Sequence, residues 1–339
     1  MAAAAQLALP IAVLYSELHD LTAFDATERR GGGGFSVKRV AGGRYWYHQS
    51  WSGRRRLQRA LGPETPELLE RIAAGRVEAG AWRAQQARRR QLVRSLKSAL
   101  GFSVEPLVGR VLAQLAEAGV FRAGGVLVGT HAYRTYGAML GFRLAQRNLR
   151  TGDIDIAAVD NDAEPLEVSF PEAVQAADDA FFVVPPRPGA RLSTALKQKG
   201  GDARVELLMP QGGGRPWRPH ALPTLGFAAQ RTPFLDYLIE RPIEATYLQA
   251  AGVRVAVPDP ARFALHKLIV AADRGPREQA KVAKDLAQAA ELWRVLRDVR
   301  PGDLGRARRA LARSGRAYVA KARQGAAMSD ETAPMADAL

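Results

Sequence analysis

Three short stretches of this 339-residue chain hold residue types that could do chemistry together. Asp153-Ile154-Asp155 sets two carboxylates two positions apart. On a β-strand, residues i and i+2 project from one face, so both acids converge while Ile154 and Ile156 turn to the core. Arg204-Val205-Glu206-Leu207-Leu208 reads as a second strand with one acid among apolar neighbours. A carboxylate placed there is unfavourable unless a cation or a metal meets it. Gly129-Thr130 ends the apolar run Val126-Leu127-Val128 and opens a helix. A helix N-terminus with free amides and a hydroxyl is suited to a phosphate. Two or three convergent carboxylates beside such a turn describe a Mg²⁺ site. Two ions held this way activate an attacking hydroxyl and stabilise a leaving pyrophosphate, which is the chemistry of nucleotidyl transfer.

Each group also has a plainer reading. Asp153 and Asp155 could be strand-end turn acids, and Glu206 could pair with Arg204 or Lys197. His131 follows the turn and packs or caps more readily than it binds, and His266, beside Leu265 and Leu268, suits a satisfied helix histidine. No two histidines have metal-ligand spacing, and the absence of cysteine excludes disulfides, thiolate metal sites and cysteine nucleophiles.

The elements that must position these residues follow from pattern. Residues 11–30 read as a short helix, followed by the break Gly31 to Gly34. Phe35–Val40, Tyr45–His48 and Arg54–Leu61 read as a three-stranded antiparallel meander with a basic, aromatic face. Tyr45, Trp46 and Tyr47 could stack on bases or form the core of the small sheet. Thr65 caps a helix running to about Leu100, open to a break near Gly75 or Gly80, with Arg83, Arg88, Arg89, Arg90, Arg94 and Lys97 in its second half. Residues 105–118 form an amphipathic helix, and helix, strand, turn, helix and further strands follow to residue 210, an α/β or α+β arrangement. Thr246–Val257 suggests a strand pair split at Gly252. Asp259-Pro260 starts a helix, and Val282, Leu286, Ala289, Trp293 and Leu296 make the apolar stripe of the next.

Val126 to Thr130, then Asp153-Ile154-Asp155, then Val205-Glu206-Leu207 resembles the signature of the polymerase-beta-like nucleotidyltransferase superfamily. The stretch from Gly129-Thr130-His131-Ala132-Tyr133 to Thr151-Gly152-Asp153 is similar to a bacterial branch of predicted nucleotidyltransferases. Downstream, Val255-Ala256-Val257-Pro258, His266-Lys267-Leu268, Arg274 and Lys284-Asp285-Leu286 are similar to abortive-infection-type toxin nucleotidyltransferases. The resemblance covers about residues 105–295. It implies an α+β fold with a mixed-sheet core, Mg²⁺ as cofactor and an NTP as donor. It also implies catalytic roles for Asp153, Asp155, Glu206 and Asp285, metal ligation by Asp153, Asp155 and Glu206, and triphosphate contacts from Gly129, Thr130, Lys267 and Arg274. Lys267 and Arg274 lie seven residues apart, on one helix face, while Lys281, Lys284 and Gln288 share the polar face of the next helix. Lys267 could instead be a surface lysine, and Asp285 a helix pair or cap. The chain departs from the pattern at Thr130, where Ser is usual, and at Glu206, where Asp is commoner. The gap from Gly129 to Asp153 is also longer than usual, and the insert brings Arg143, Arg147 and Arg150 within possible reach of phosphate or acceptor.

The chain carries a net charge of +15, divided as +9 over residues 1–101, −1 over 102–240 and +7 over 241–339. A near-neutral centre between basic ends suits a polyanionic partner such as RNA, or simply reflects arginine-solvated helices. The expected organisation is an accessory meander and basic helix (1–101), a catalytic core (102–240), a strand pair with helices (241–325) and a disordered tail (326–339). No apolar run is long enough to span a membrane, and the apolar start lacks a basic flank, so a cytoplasmic protein is expected. The acceptor could be RNA or tRNA, a protein or a small molecule. A rival reading is a non-catalytic nucleic-acid-binding module on the same fold, and an antitoxin is a further candidate partner.

Overall fold

Strict alternation along two segments decides the centre of the molecule. Ile154 and Ile156 of the strand Asp153–Ala157 and Val205 and Leu207 of the strand Arg204–Pro210 are all 0% exposed. Their polar neighbours face the other way. The computed structural model describes residues 4–23, 33–40, 42–52, 55–101, 105–145, 152–186, 188–212 and 218–339. Within them the chain is an α+β protein built on a mixed, seven-stranded sheet.

The two central strands run parallel, pairing Asp153 with Arg204 and Asp155 with Glu206. Val126–Leu127 lies antiparallel on the outer side of Asp153–Ala157. The far edge of Arg204–Pro210 is shared. Its first half pairs antiparallel with Ala195–Gln198 and its last residues pair parallel with Phe227–Thr232. Phe181–Val183 and His220–Leu222 complete the sheet.

One apolar core runs from Val108 on the helix Pro106–Ala118 through the sheet to Leu268, Leu286 and Leu311 on the C-terminal helices. Asp259 accepts from the amides of Ala261 and Arg262, so the Asp-Pro start of the helix Pro260–Asp273 is capped as its sequence suggests. The following helix, Gln279–Val299, buries Val282, Leu286, Ala289 and Leu296 of its stripe. The strand pair appears as the hairpin Ile243–Tyr247 with Val253–Val257.

The meander is present as Gly33–Val40, Gly43–Ser52 and Arg55–Pro63. Trp46 fills its inner face against Leu68 and Ile72 and donates to Glu64 Oε2 at 2.8 Å, so it is core and not a platform for bases. Tyr45 is exposed on the sheet. The helix Pro66–Leu100 is unbroken at Gly75 and Gly80, with Thr65 as its N-cap. Arg89 is buried and donates to the carbonyls of Ala251 and Gly252 at 2.7 and 2.9 Å, which fastens the long helix to the hairpin turn. The first helix covers Leu9–Ala23, and the rest of the expected span, residues 24–30, lies outside the described residues.

The expected disordered tail is instead folded. A short helix at Ala333–Ala336 puts Met335 into the main core, and Thr332 is buried with its hydroxyl donating to Ala326 O at 2.8 Å. Among the described residues no helix is long and apolar enough to cross a membrane.

Candidate active site

The carboxylates come together through strand register. In a parallel pair, residues opposite one another project from the same face. Asp153, Asp155, Arg204 and Glu206 therefore form a square of charged side chains, opposite the apolar face made by Ile154, Ile156, Val205 and Leu207. Arg204 reaches Glu206 at 3.4 Å, so the expected ion-pair alternative for Glu206 is realised. Asp155 is half-buried. Burial, with the charges of Glu206 and Asp153 added, pushes its carboxyl up to about 6, while Lys267 and Lys284 pull it back.

The turn at Gly129 closes over this square. Val128 donates its amide to Asp155 O at 2.9 Å, extending the pairing of Val126–Leu127 with the acidic strand. The helix Gly129–Leu140 then begins at the turn itself, as Gly129-Thr130 opening a helix leads one to expect. Gly129 has φ +65°, and a Cβ built on it would sit 2.9 Å from Asp155 Oδ2. Both the backbone conformation and the close approach demand glycine. Thr130 follows in the first turn of the helix, its hydroxyl accepting from Lys284 Nζ at 3.2 Å.

The expected downstream residues are linked to one another. Asp285 is 0% exposed and accepts from Lys267 Nζ at 2.6 Å and from Arg274 Nε at 2.7 Å. Burial alone would raise its pKa, but the Lys267 and Arg274 charges and hydrogen bonds hold it below the usual carboxylate range. Lys267 also lies 5.1 Å from the centre of the Phe263 ring, and Arg274 bonds Glu278. Burial lowers Lys284, and the nearby Lys267 adds to that. His131 meets the Tyr247 hydroxyl at 2.9 Å, and burial drives His266 down to about 3, which keeps it neutral near pH 7. Arg143 donates to Ala99 O at the end of the long helix, while Arg147, Arg150 and Thr151 lie outside the described residues.

A family model described as Nucleotidyltransferase matches residues 106–312, more than half of the chain. The chain belongs to the nucleotidyltransferase family. No curated protein and no solved structure gives a significant match. As a nucleotidyltransferase it is an enzyme that transfers nucleoside monophosphate. The matched span contains the Gly129-Thr130 turn, all three acids of the square, and Lys267, Arg274, Lys284 and Asp285.

The structure of this nucleotidyltransferase brings Asp153, Asp155, Glu206, Gly129 and Thr130 into one site, with Lys267 close enough to act on Asp155 and paired, like Arg274, with the buried Asp285. Lys284, which the resemblance places in the Lys284-Asp285-Leu286 stretch without a nucleotide contact of its own, joins the turn through Thr130. The signal that could have found it is its place on the polar face of its helix with Lys281 and Gln288.

Proposed function

We propose that this nucleotidyltransferase is Mg²⁺-dependent and moves a nucleoside monophosphate from an NTP onto a hydroxyl of RNA, tRNA included. The register pairing of Asp155 with Glu206 beside the Gly129 turn is the observation that carries this reading. The donor set fits Mg²⁺, since all three acids supply hard carboxylate oxygens and Asp155 is raised by burial and by its acidic neighbours. As the side chains stand, no group of three or more His, Cys, Asp or Glu among the described residues is arranged to hold an ion. Glu206 is engaged by Arg204 instead. Asp153, Asp155 and a Glu206 released from Arg204 would hold it. Bound Mg²⁺ supplies charge neutralisation at the reacting phosphate and the leaving pyrophosphate.

The chain's own residues do the rest. The first turn of the helix Gly129–Leu140 offers backbone donors and the Thr130 hydroxyl to the phosphates. Glu206, beside Asp155, would take the proton of the attacking hydroxyl. The fixed strands and turn hold these groups in place, so positioning and electrostatics account for most of the rate.

An RNA acceptor is favoured by the long helix. Arg76, Arg83 and Arg90 recur every seven residues on its exposed side, joined by Arg94, and none pairs with a carboxylate among the described residues. Seven residues is close to two helical turns, so these cations form one stripe. The likeness to toxin nucleotidyltransferases adds the expectation that expression arrests growth, that Asp153→Ala relieves the arrest, and that an antitoxin is a partner.

The test presents each α-labelled NTP in turn with total RNA and then total protein, with Mg²⁺ or with EDTA. Label on RNA only when Mg²⁺ is present supports the proposal. Label on protein, or transfer undiminished by EDTA, would refute the acceptor or the metal respectively.

A further inference from the structure

The cations around the site are not equivalent. Lys267 and Arg274 both spend their charge on one fully buried carboxylate, Asp285, at 2.6 and 2.7 Å. Breaking such a pair leaves an uncompensated buried charge, so neither cation is free to follow a ligand. Lys267 is further enclosed by the Phe263 ring and is only 8% exposed. Lys284 is the next residue to Asp285, yet it points elsewhere. Its Nζ lies 3.2 Å from Thr130 Oγ1, at the first turn of the helix Gly129–Leu140, and it makes no ion pair with a carboxylate among the described residues. An ammonium has three donors and Thr130 uses one. By accepting from Lys284, the Thr130 hydroxyl is left with its own proton to give.

We infer that Lys284, seated on Thr130, is the lysine that grips the triphosphate, and that Lys267 is a structural counter-ion of Asp285. The inference rests on the nucleotidyl-transfer reading and departs from the triphosphate contact that the family resemblance implies for Lys267. The turn supplies oriented amides, and Lys284 supplies the mobile positive charge beside them. Asp285 is then a positioning residue. It occupies Lys267 and Arg274 and leaves Lys284 as the cation seated on the turn through Thr130.

The test measures binding of inorganic tripolyphosphate and of each NTP, with Mg²⁺, by calorimetry on the full chain. Wild type is compared with Lys284→Gln, Lys284→Arg and Lys267→Met, with thermal unfolding of each. The inference expects Lys284→Gln to weaken tripolyphosphate binding about 10- to 100-fold at an unchanged Tm, as loss of a charge-assisted hydrogen bond should. Lys284→Arg should recover most of the affinity. Lys267→Met should lower Tm and keep binding within about threefold. Lys284→Gln binding like wild type, or a folded Lys267→Met losing affinity as severely as Lys284→Gln, would overturn the inference alone. A wild type that binds neither tripolyphosphate nor any NTP would overturn the nucleotidyl-transfer reading beneath it as well.

Discussion

Asp155 and Glu206 stand directly opposite one another on adjacent parallel strands, and the Gly129 turn lies against the first of them. Burial disfavours the charged carboxylate, and the like charges of Glu206 and Asp153 add to it. Asp155, pushed up to about 6, carries the cost. The free protein thus disfavours the charged form of Asp155, with consequences that can be measured.

Asp155→Asn should stabilise the free protein while abolishing transfer. A carboxyl raised in the folded state binds its proton more tightly there than in the unfolded chain. The stability from that proton is complete below the unfolded pKa, about 3.9, and is lost as pH rises through the folded value of about 6. The variant should therefore gain on the order of 1–3 kcal/mol over wild type above pH 6, and the gain should vanish toward pH 4. Thermal unfolding across that range checks it. An equal gain at pH 4 and pH 7 would contradict the assigned cause.

Gly129→Ala should damage the site without unfolding the domain. The added Cβ meets Asp155 Oδ2 at 2.9 Å, and φ +65° is unfavourable for alanine. A cost of about 1–3 kcal/mol follows from the backbone and the close approach. Nucleotide affinity should fall by more than the change in Tm suggests, because the turn that moves is the one that holds phosphate. A variant with wild-type affinity would argue that this turn does not bind the nucleotide.

Asp285→Ala should be among the most destabilising single changes. It strands Lys267 and Arg274 without their partner, at a cost of about 3–5 kcal/mol. In wild type the contribution of Asp285 has the opposite pH sense to that of Asp155. Its lowered pKa makes that contribution present above the unfolded value of about 3.9 and lost as pH falls through the lower folded value. Denaturant unfolding at pH 7 and pH 3 should show the difference between wild type and variant shrinking in acid.

Charge reversal on the long helix tests the acceptor. Arg83→Glu, Arg90→Glu and Arg94→Glu together should weaken RNA binding and flatten its dependence on salt. The log–log slope should fall by about one unit for each RNA phosphate that the protein no longer neutralises. NTP binding should be unchanged, since these residues belong to the accessory helix. An unaltered salt slope would remove this stripe from the RNA interface.

Much of the site is legible in the sequence because it is local. The acid–apolar alternation of Asp153–Ala157 and Arg204–Leu208 declares which side chains are buried, and Gly129-Thr130 after an apolar run declares a turn. What is not legible depends on distance along the chain. The hydrogen bond from Lys284 to Thr130 spans 154 residues and leaves no periodic trace. The same holds for the parallel register that sets Glu206 against Asp155, since either strand alone is compatible with other neighbours. Asp285 reads in sequence as a helix pair or cap, or by resemblance as a catalytic acid, and its buried pairing is not legible because its partners, Lys267 and Arg274, lie on and just beyond another helix. The tail departs from expectation for a different reason. A four-residue helix has no period to detect, and only the packed structure shows that Met335 completes the core.

If the acidic square performs nucleotidyl transfer, the α-phosphate and not the γ-phosphate must reach the acceptor. The most direct measurement compares NTP labelled at the α-phosphate with NTP labelled at the γ-phosphate, using wild type and Asp153→Ala/Asp155→Ala with RNA and Mg²⁺. The expected result is α-label on the acceptor, γ-label released as pyrophosphate, and neither event in the double variant. Label from the γ-phosphate on the acceptor, or undiminished transfer by the folded double variant, would contradict it.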